Sequence, residues 1–247
     1  MPVPPSLPLE IVELVAASVV IFVGAALQGS VGFGLSLVAA PILMLLDARY
    51  VPGPLLAVSI LMTVLTLWRE HRHVDFGGVA PVLVGRIPGT FIGLWLLVAL
   101  SPREMSFTFG AMLLAAVAMS ASRLRLEPTP STLASAGLLS GIMSMTTSAG
   151  GPPLALVYQS SAGATLRATL SGHFLIGAAI SLVALRGGGR LGKGEIVLAA
   201  LLAPGLILGF LLSSRLRHLL DAGYTRIAVL VVSGTAGVAV ILRELVG

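Results

Sequence analysis

The sequence predicts an all-α polytopic membrane protein of two inverted repeats, each a broken or re-entrant helix pair followed by three transmembrane helices. Three observations carry that prediction. Of the 247 residues, 56% are hydrophobic and only 10% charged, more apolar surface than one water-soluble core can cover. Apolar runs recur along the whole chain at helix-spanning length, about 20 residues being enough to cross the hydrocarbon layer. An ungapped shift of 116 residues places Gly34 on Gly150, Gly78 on Gly194, and Pro88, Gly89 and Gly93 on Pro204, Gly205 and Gly209.

Hydropathy, punctuated by charge, proline and glycine, sets apolar segments at 9–27, 35–46, 54–68, 79–100, 105–120, 133–145, 152–158, 168–185, 196–213 and 226–242. The first is expected to stay as a membrane helix. MPVPPSLPLE, which opens the chain, holds no Lys or Arg, and the apolar run after it is too long for a signal-peptide core. Segments 35–46, 133–145 and 152–158 are too short to span, and all adjoin glycine-rich stretches, as interrupted or re-entrant helices do. Segments 79–100 and 196–213 share the Pro-Gly-x-x-x-Gly pattern and occupy matching places in the two halves. The remaining segments complete three spans per half. A first repeat over 1–122 and a second over 132–247 are then joined by the polar, proline-containing linker 123–131, RLRLEPTPS. An odd number of crossings per half inverts one half relative to the other. Arginine and lysine divide eight against six between the two sets of segment ends, which decides little about orientation.

Several function classes fall away. The net charge of +5 is scattered over segment ends without a patch or interleaved aromatics, so membrane lipid rather than nucleic acid is the expected partner. There is no cysteine, which removes disulfides, thiol catalysis and thiolate metal sites. The loop GGGRLGKG at 187–194 approximates a phosphate-binding loop, but Gly194 stands where a magnesium-binding Ser or Thr belongs and no strand precedes it. His71 and His73 flank Arg72 at a spacing that does not converge on one ion. Every Asp and Glu falls at or near a segment end, leaving no acid–base pair. No enzyme, cofactor or metal is therefore expected.

The chemistry is concentrated in two stretches, GAALQGSVGFG at 24–34 and GIMSMTTSAGGPP at 141–153, which occupy the same place in the two halves. Irregular backbone at membrane depth is tolerated only where protein or a water-filled cavity satisfies it. Glycine permits close approach of a ligand to the chain, and Pro152 or Pro153 suits the first turn of a new half-helix. The free amides that begin such a half-helix favour an anion. Candidate binding residues are Gln28, Ser30, Gly32, Phe33 and Gly34 in the first break. The second contributes Thr146, Thr147, Ser148, Ala149, Gly150 and Gly151, with Gln159 beyond them. Each has a purely structural alternative. Glycines also serve tight helix packing, Ser and Thr bond back to their own helix, and Gln28, Tyr158 and Gln159 can satisfy loop carbonyls.

Three further side chains belong with the candidates. Arg86 lies about 12 Å into its span at 1.5 Å per residue, where a guanidinium faces the bundle interior or reaches for the interface; Leu202 holds the equivalent place in the second half. Arg167 opens its helix near the second break and either snorkels or lines the mouth of a pathway. His173, the one mid-helix imidazole, either meets the ligand or makes an interhelical hydrogen bond.

With GSVGFGLSLVAAP in one half and TTSAGGPPLAL in the other, each followed by long apolar spans, the sequence resembles the sulfite exporter TauE/SafE family over residues 9–242. The resemblance implies transport of small sulfur-containing anions such as sulfite, thiosulfate or organosulfonates, with import and export both represented. Ser30, Val31 and Phe33 stand here where the family more often carries a denser run of glycines, which leaves the particular ligand open. The expected function is thus secondary transport of a small anionic substrate by alternating access around the two breaks, in a bacterial inner membrane. An anion channel is the alternative, and a membrane enzyme a more distant one. Oligomeric state is left open.

Overall fold

In hydrocarbon each backbone amide and carbonyl must find its partner inside the protein, so apolar runs of this length have little choice but to become helices. The computed structural model describes residues 7–122, 124, 126–158, 160–161, 163–220 and 224–246. Among them there is no strand. The helices are α1 (Leu7–Val31), α2 (Leu35–Leu46), α3 (Gly53–Glu70), α4 (Val79–Ala99), α5 (Pro102–Ala121), α6 (Pro130–Thr147), α7 (Gly151–Tyr158), α8 (Gly163–Gly187), α9 (Lys193–Leu220) and α10 (Tyr224–Val246). Two sequence expectations, the role of Gln159 and the full course of the linker through Arg123 and Arg125, lie outside the described residues.

Local chemistry fixes the boundaries. Ser101 caps α5 reciprocally with Glu104, and Pro102 takes the first helical position, where its missing amide costs nothing. Thr129, Pro130 and Thr132 repeat that arrangement at α6, so α6 begins earlier than the predicted segment 133–145 and reaches 18 residues. The first helix also outruns its expected end. It passes through Gly24 and Gly29 because both are packing glycines: a Cβ at 24 would stand 2.8 Å from Leu35 Cδ1, and one at 29 would meet the Ser213 side chain.

Among the described residues, six stretches are long and apolar enough to cross a membrane: Ile11–Val31, Gly53–His73, Val79–Ala99, Pro102–Ala121, Gly163–Gly187 and Lys193–Leu216. Their outward faces carry large apolar side chains, among them Val15 and Val19 on α1, Phe91 and Trp95 on α4, and Leu208 and Leu211 on α9. Such a continuous greasy exterior suits lipid and not water. The short α2 and α7, 12 and 8 residues long, are instead largely buried within the bundle.

Helix α1 lies against α9 and α4 against α6, while α3 pairs with α8 and α5 with α10. Each pair joins the N-terminal half of the chain to the C-terminal half. Glycine rows permit the two closest approaches. Gly85 and Gly89 press on the backbone of Ala134 and Leu138 in α6, and Gly205 and Gly209 press on that of Ser18 and Phe22 in α1.

Candidate functional site

The two helix breaks are three residues each, 32–34 and 148–150. They therefore coincide under the same 116-residue shift that aligns the glycines. In each, the first residue turns the chain with a positive φ, +106° at Gly32 and +57° at Ser148. Ser148 makes that turn without glycine's freedom, held by a hydrogen bond of 3.1 Å from its Oγ to the Pro52 carbonyl. Gly34, at φ +129°, completes the first break and feeds α2.

The breaks meet. One small cavity is lined by Gln28, Phe33 and Gly34 from the first break and by Ser148, Ala149, Gly150 and Gly151 from the second. Helices α2 and α7 both begin at this cavity, so the partial positive charge of two helix N-termini falls on one space. Ser36, Ser59 and Thr63 add hydroxyls to the wall, and Phe174 and Leu56 add apolar surface.

Among the described residues, Arg86 supplies the only charged side chain of the lining. It is 1% exposed, and none of the described carboxylates forms an ion pair with it. Its Nη1 donates to Ser140 Oγ at 2.6 Å and its Nη2 to Ser144 Oγ at 3.0 Å, both on α6. Its Nε is buried with no hydrogen-bond partner. Ser140 in turn donates through Oγ to the Gly150 carbonyl at 2.6 Å. One residue thereby ties the guanidinium to the second break.

Of the residues expected from sequence, Gln28, Phe33, Gly34, Arg86, Ser148, Ala149, Gly150 and Gly151 line this cavity. The others are placed elsewhere. Ser30 is back-bonded to the Ala26 carbonyl at 2.8 Å, Thr146 to Ile142 at 3.0 Å and Thr147 to Met143 at 2.8 Å. The amide of Gly32 donates to the Gln28 carbonyl at 2.7 Å, continuing the helical bonding of α1. Arg167 forms an ion pair with Glu70, Nε to Oε2 2.9 Å, and donates through Nη1 to the Ser30 carbonyl at 3.3 Å. His173 Nε2 lies 3.4 Å from Tyr158 Oη, away from the cavity.

Sequence reasoning missed Ser140 and Ser144. Their signal was present, since hydroxyls four residues apart share one helix face, but only the α4–α6 packing shows that this face meets Arg86. No group of three His, Asp or Glu that could hold a metal ion exists among the described residues.

Helices of crossing length with large apolar side chains on their outward faces define an integral membrane protein. The chain belongs to the sulfite exporter TauE/SafE family, whose model matches residues 16–240. That is a family of membrane transporters and not of enzymes. No curated protein and no solved structure shows a significant match.

Proposed function

We propose that this protein is a secondary transporter of small sulfur oxyanions or organosulfonates, of the sulfite, thiosulfate or sulfoacetate type, seated in the bacterial inner membrane. The observation that carries the reading is Arg86, a guanidinium 1% exposed that lines the shared cavity with no carboxylate ion-paired to it among the described residues. A buried charge without a counter-charge is costly. An oxyanion in the cavity supplies the missing charge, and the positive ends of α2 and α7 favour it without adding permanent charge; Gly151 is the amide to offer at α7, since Pro152 and Pro153 have none and the Leu35 amide of α2 is taken by Gln28. Release stays easy because only one full positive charge holds the ligand.

The mechanism we infer is alternating access, with the two halves as inverted repeats rocking about the cavity. Two features support it: the breaks stand at one sequence offset, and the principal helix pairs all run between halves. Substrate is gripped where the halves meet, so a relative rotation exposes it first to one side and then to the other.

Binding of sulfite, thiosulfate and sulfoacetate to the purified protein, measured by calorimetry against acetate and malonate controls, tests the reading. Wild type is expected to bind one or more of the sulfur anions. Arg86→Met should abolish that binding while leaving the unliganded melting temperature unchanged or raised, because exchanging a buried charge for an apolar side chain is often neutral or stabilising. Full affinity in Arg86→Met would remove the basis of the assignment. Saturable counterflow in proteoliposomes separates a carrier from a channel.

A further inference from the structure

Two serines hold Arg86, and they are not equivalent. Ser140 accepts from Nη1 at 2.6 Å and passes its own hydrogen to the Gly150 carbonyl at 2.6 Å. Both of its capacities are used inside the protein. Ser144 accepts from Nη2 at 3.0 Å, and its hydroxyl hydrogen has no acceptor among the described residues. Ser144 lines the cavity, whereas Ser140 does not. A hydroxyl whose lone pair is taken by a guanidinium must direct its hydrogen elsewhere, and the open direction is the cavity.

The first half offers a match. A shift of 116 carries Gln28 onto Ser144, and Gln28 Oε1 accepts from the Leu35 amide at 3.1 Å, which leaves its NH2 group to donate. Gln28 also lines the cavity. At one repeat position, both halves thus commit an acceptor to the protein and keep a donor for the space between them.

We propose, on the anion-site reading above, that Ser144 is a substrate-contacting donor and that Ser140 is a positioning residue acting only through Arg86 and Gly150. The ligand oxyanion accepts from Ser144 beside the positive charge of Arg86. Because the Arg86 bond polarises the Ser144 hydroxyl, this donor is stronger than an isolated serine.

Calorimetric titration of the purified full-length protein with sulfite and with sulfoacetate, alongside melting curves without ligand, tests the assignment. Ser144→Ala should weaken binding of the bound probe about tenfold, the value of one hydrogen bond to a charged group, and should also lower the unliganded melting temperature, because the buried Nη2 of Arg86 loses its acceptor. Ser144→Thr, which keeps the hydroxyl, should recover most of the loss, and Ser144→Cys, similar in size with a weak donor, only part of it. Ser140→Ala should lower the melting temperature as well as the affinity, since the Gly150 carbonyl loses its donor. Wild-type affinity in Ser144→Ala, or equal affinities in the alanine and threonine variants, would overturn the assignment of Ser144 while leaving the anion site standing. A wild-type protein that binds none of the sulfur anions would overturn both.

Discussion

Gly177 of α8 lies flat against the guanidinium of Arg86, so close that a Cβ added at 177 would overlap it. The absence of a side chain there is what gives a buried arginine its place. Ser140 and Ser144 pin the guanidinium from the other side, so it cannot step back without losing both bonds. Gly177→Ala should therefore push Arg86 from its serines, costing about 1–3 kcal/mol by overpacking and lowering affinity for sulfur oxyanions at least tenfold. Gly172→Ala on the same helix is the control, because its Cβ would meet only Val74 at an ordinary 3.7 Å. Melting curves and calorimetry on the two variants should separate them; equal behaviour would show that Arg86 is not held as described.

The Arg167–Glu70 pair makes a different kind of arginine. Its side chains are 14% and 6% exposed, and Arg69 approaches the same carboxylate, Nε to Oε1 3.5 Å. Arg69 and Arg167 also donate to the carbonyls of Gly29 and Ser30, the last turn of α1, where cations complement the helix dipole. This cluster fastens the end of α1 to α3 and α8. Glu70→Gln should cost about 3 kcal/mol, the low end for breaking a buried pair, seen as a lower melting temperature. Neither residue lines the cavity, so sulfite affinity should hold. Loss of affinity at unchanged stability would move the pair into the binding site.

Which parts of this were legible in the sequence follows from what kind of information each required. The two breaks were readable because irregular backbone in hydrocarbon leaves glycine and proline behind, and because both halves repeat the device at one spacing. Arg86 stood out as a charge in an apolar run. What could not be read was the orientation of each polar side chain about its helix. Ser30, Thr146 and Thr147 looked like donors beside the breaks and proved to be back-bonded. Ser140 and Ser144 sit well inside α6, two and one turns before its end, and looked like ordinary helix serines until α4 was packed against them. Arg167 posed the same problem, since its partner Glu70 lies 97 residues away in sequence.

Gly34 and Gly150 occupy equivalent places and should fail for different reasons. A Cβ at Gly34 would have nothing within 4 Å, but the residue adopts φ +129°. Backbone strain of about 1–3 kcal/mol is therefore the cost expected for Gly34→Ala. Gly150 has no positive φ, yet its Cβ would stand 2.5 Å from the Ser140 carbonyl and against Ser144 Oγ. Gly150→Ala and Gly150→Val should disturb the two serines that hold Arg86 and abolish binding, even where the protein inserts and folds. Gly34→Ala should lower stability and keep measurable affinity. Wild-type affinity in a folded Gly150→Val protein would make the second break a packing device.

Energetics favour export. An inside-negative potential drives an anion outward with about 2.3 kcal/mol per charge per 100 mV, so efflux needs no coupling ion. Among the described residues, the cavity lining includes no Asp or Glu that could carry a proton with the substrate. His173, the nearest imidazole to that wall in sequence, turns toward Tyr158 at 3.4 Å and not toward the cavity. In proteoliposomes loaded with labelled sulfite or sulfoacetate, release should accelerate when a potassium gradient with valinomycin makes the interior negative. It should be indifferent to an imposed proton gradient once the ligand's own protonation is controlled with a permanently ionised sulfonate. His173→Ala should transport at the wild-type rate. Uptake that requires the proton gradient and disappears in His173→Ala would reverse the direction proposed here and make the histidine the coupling group.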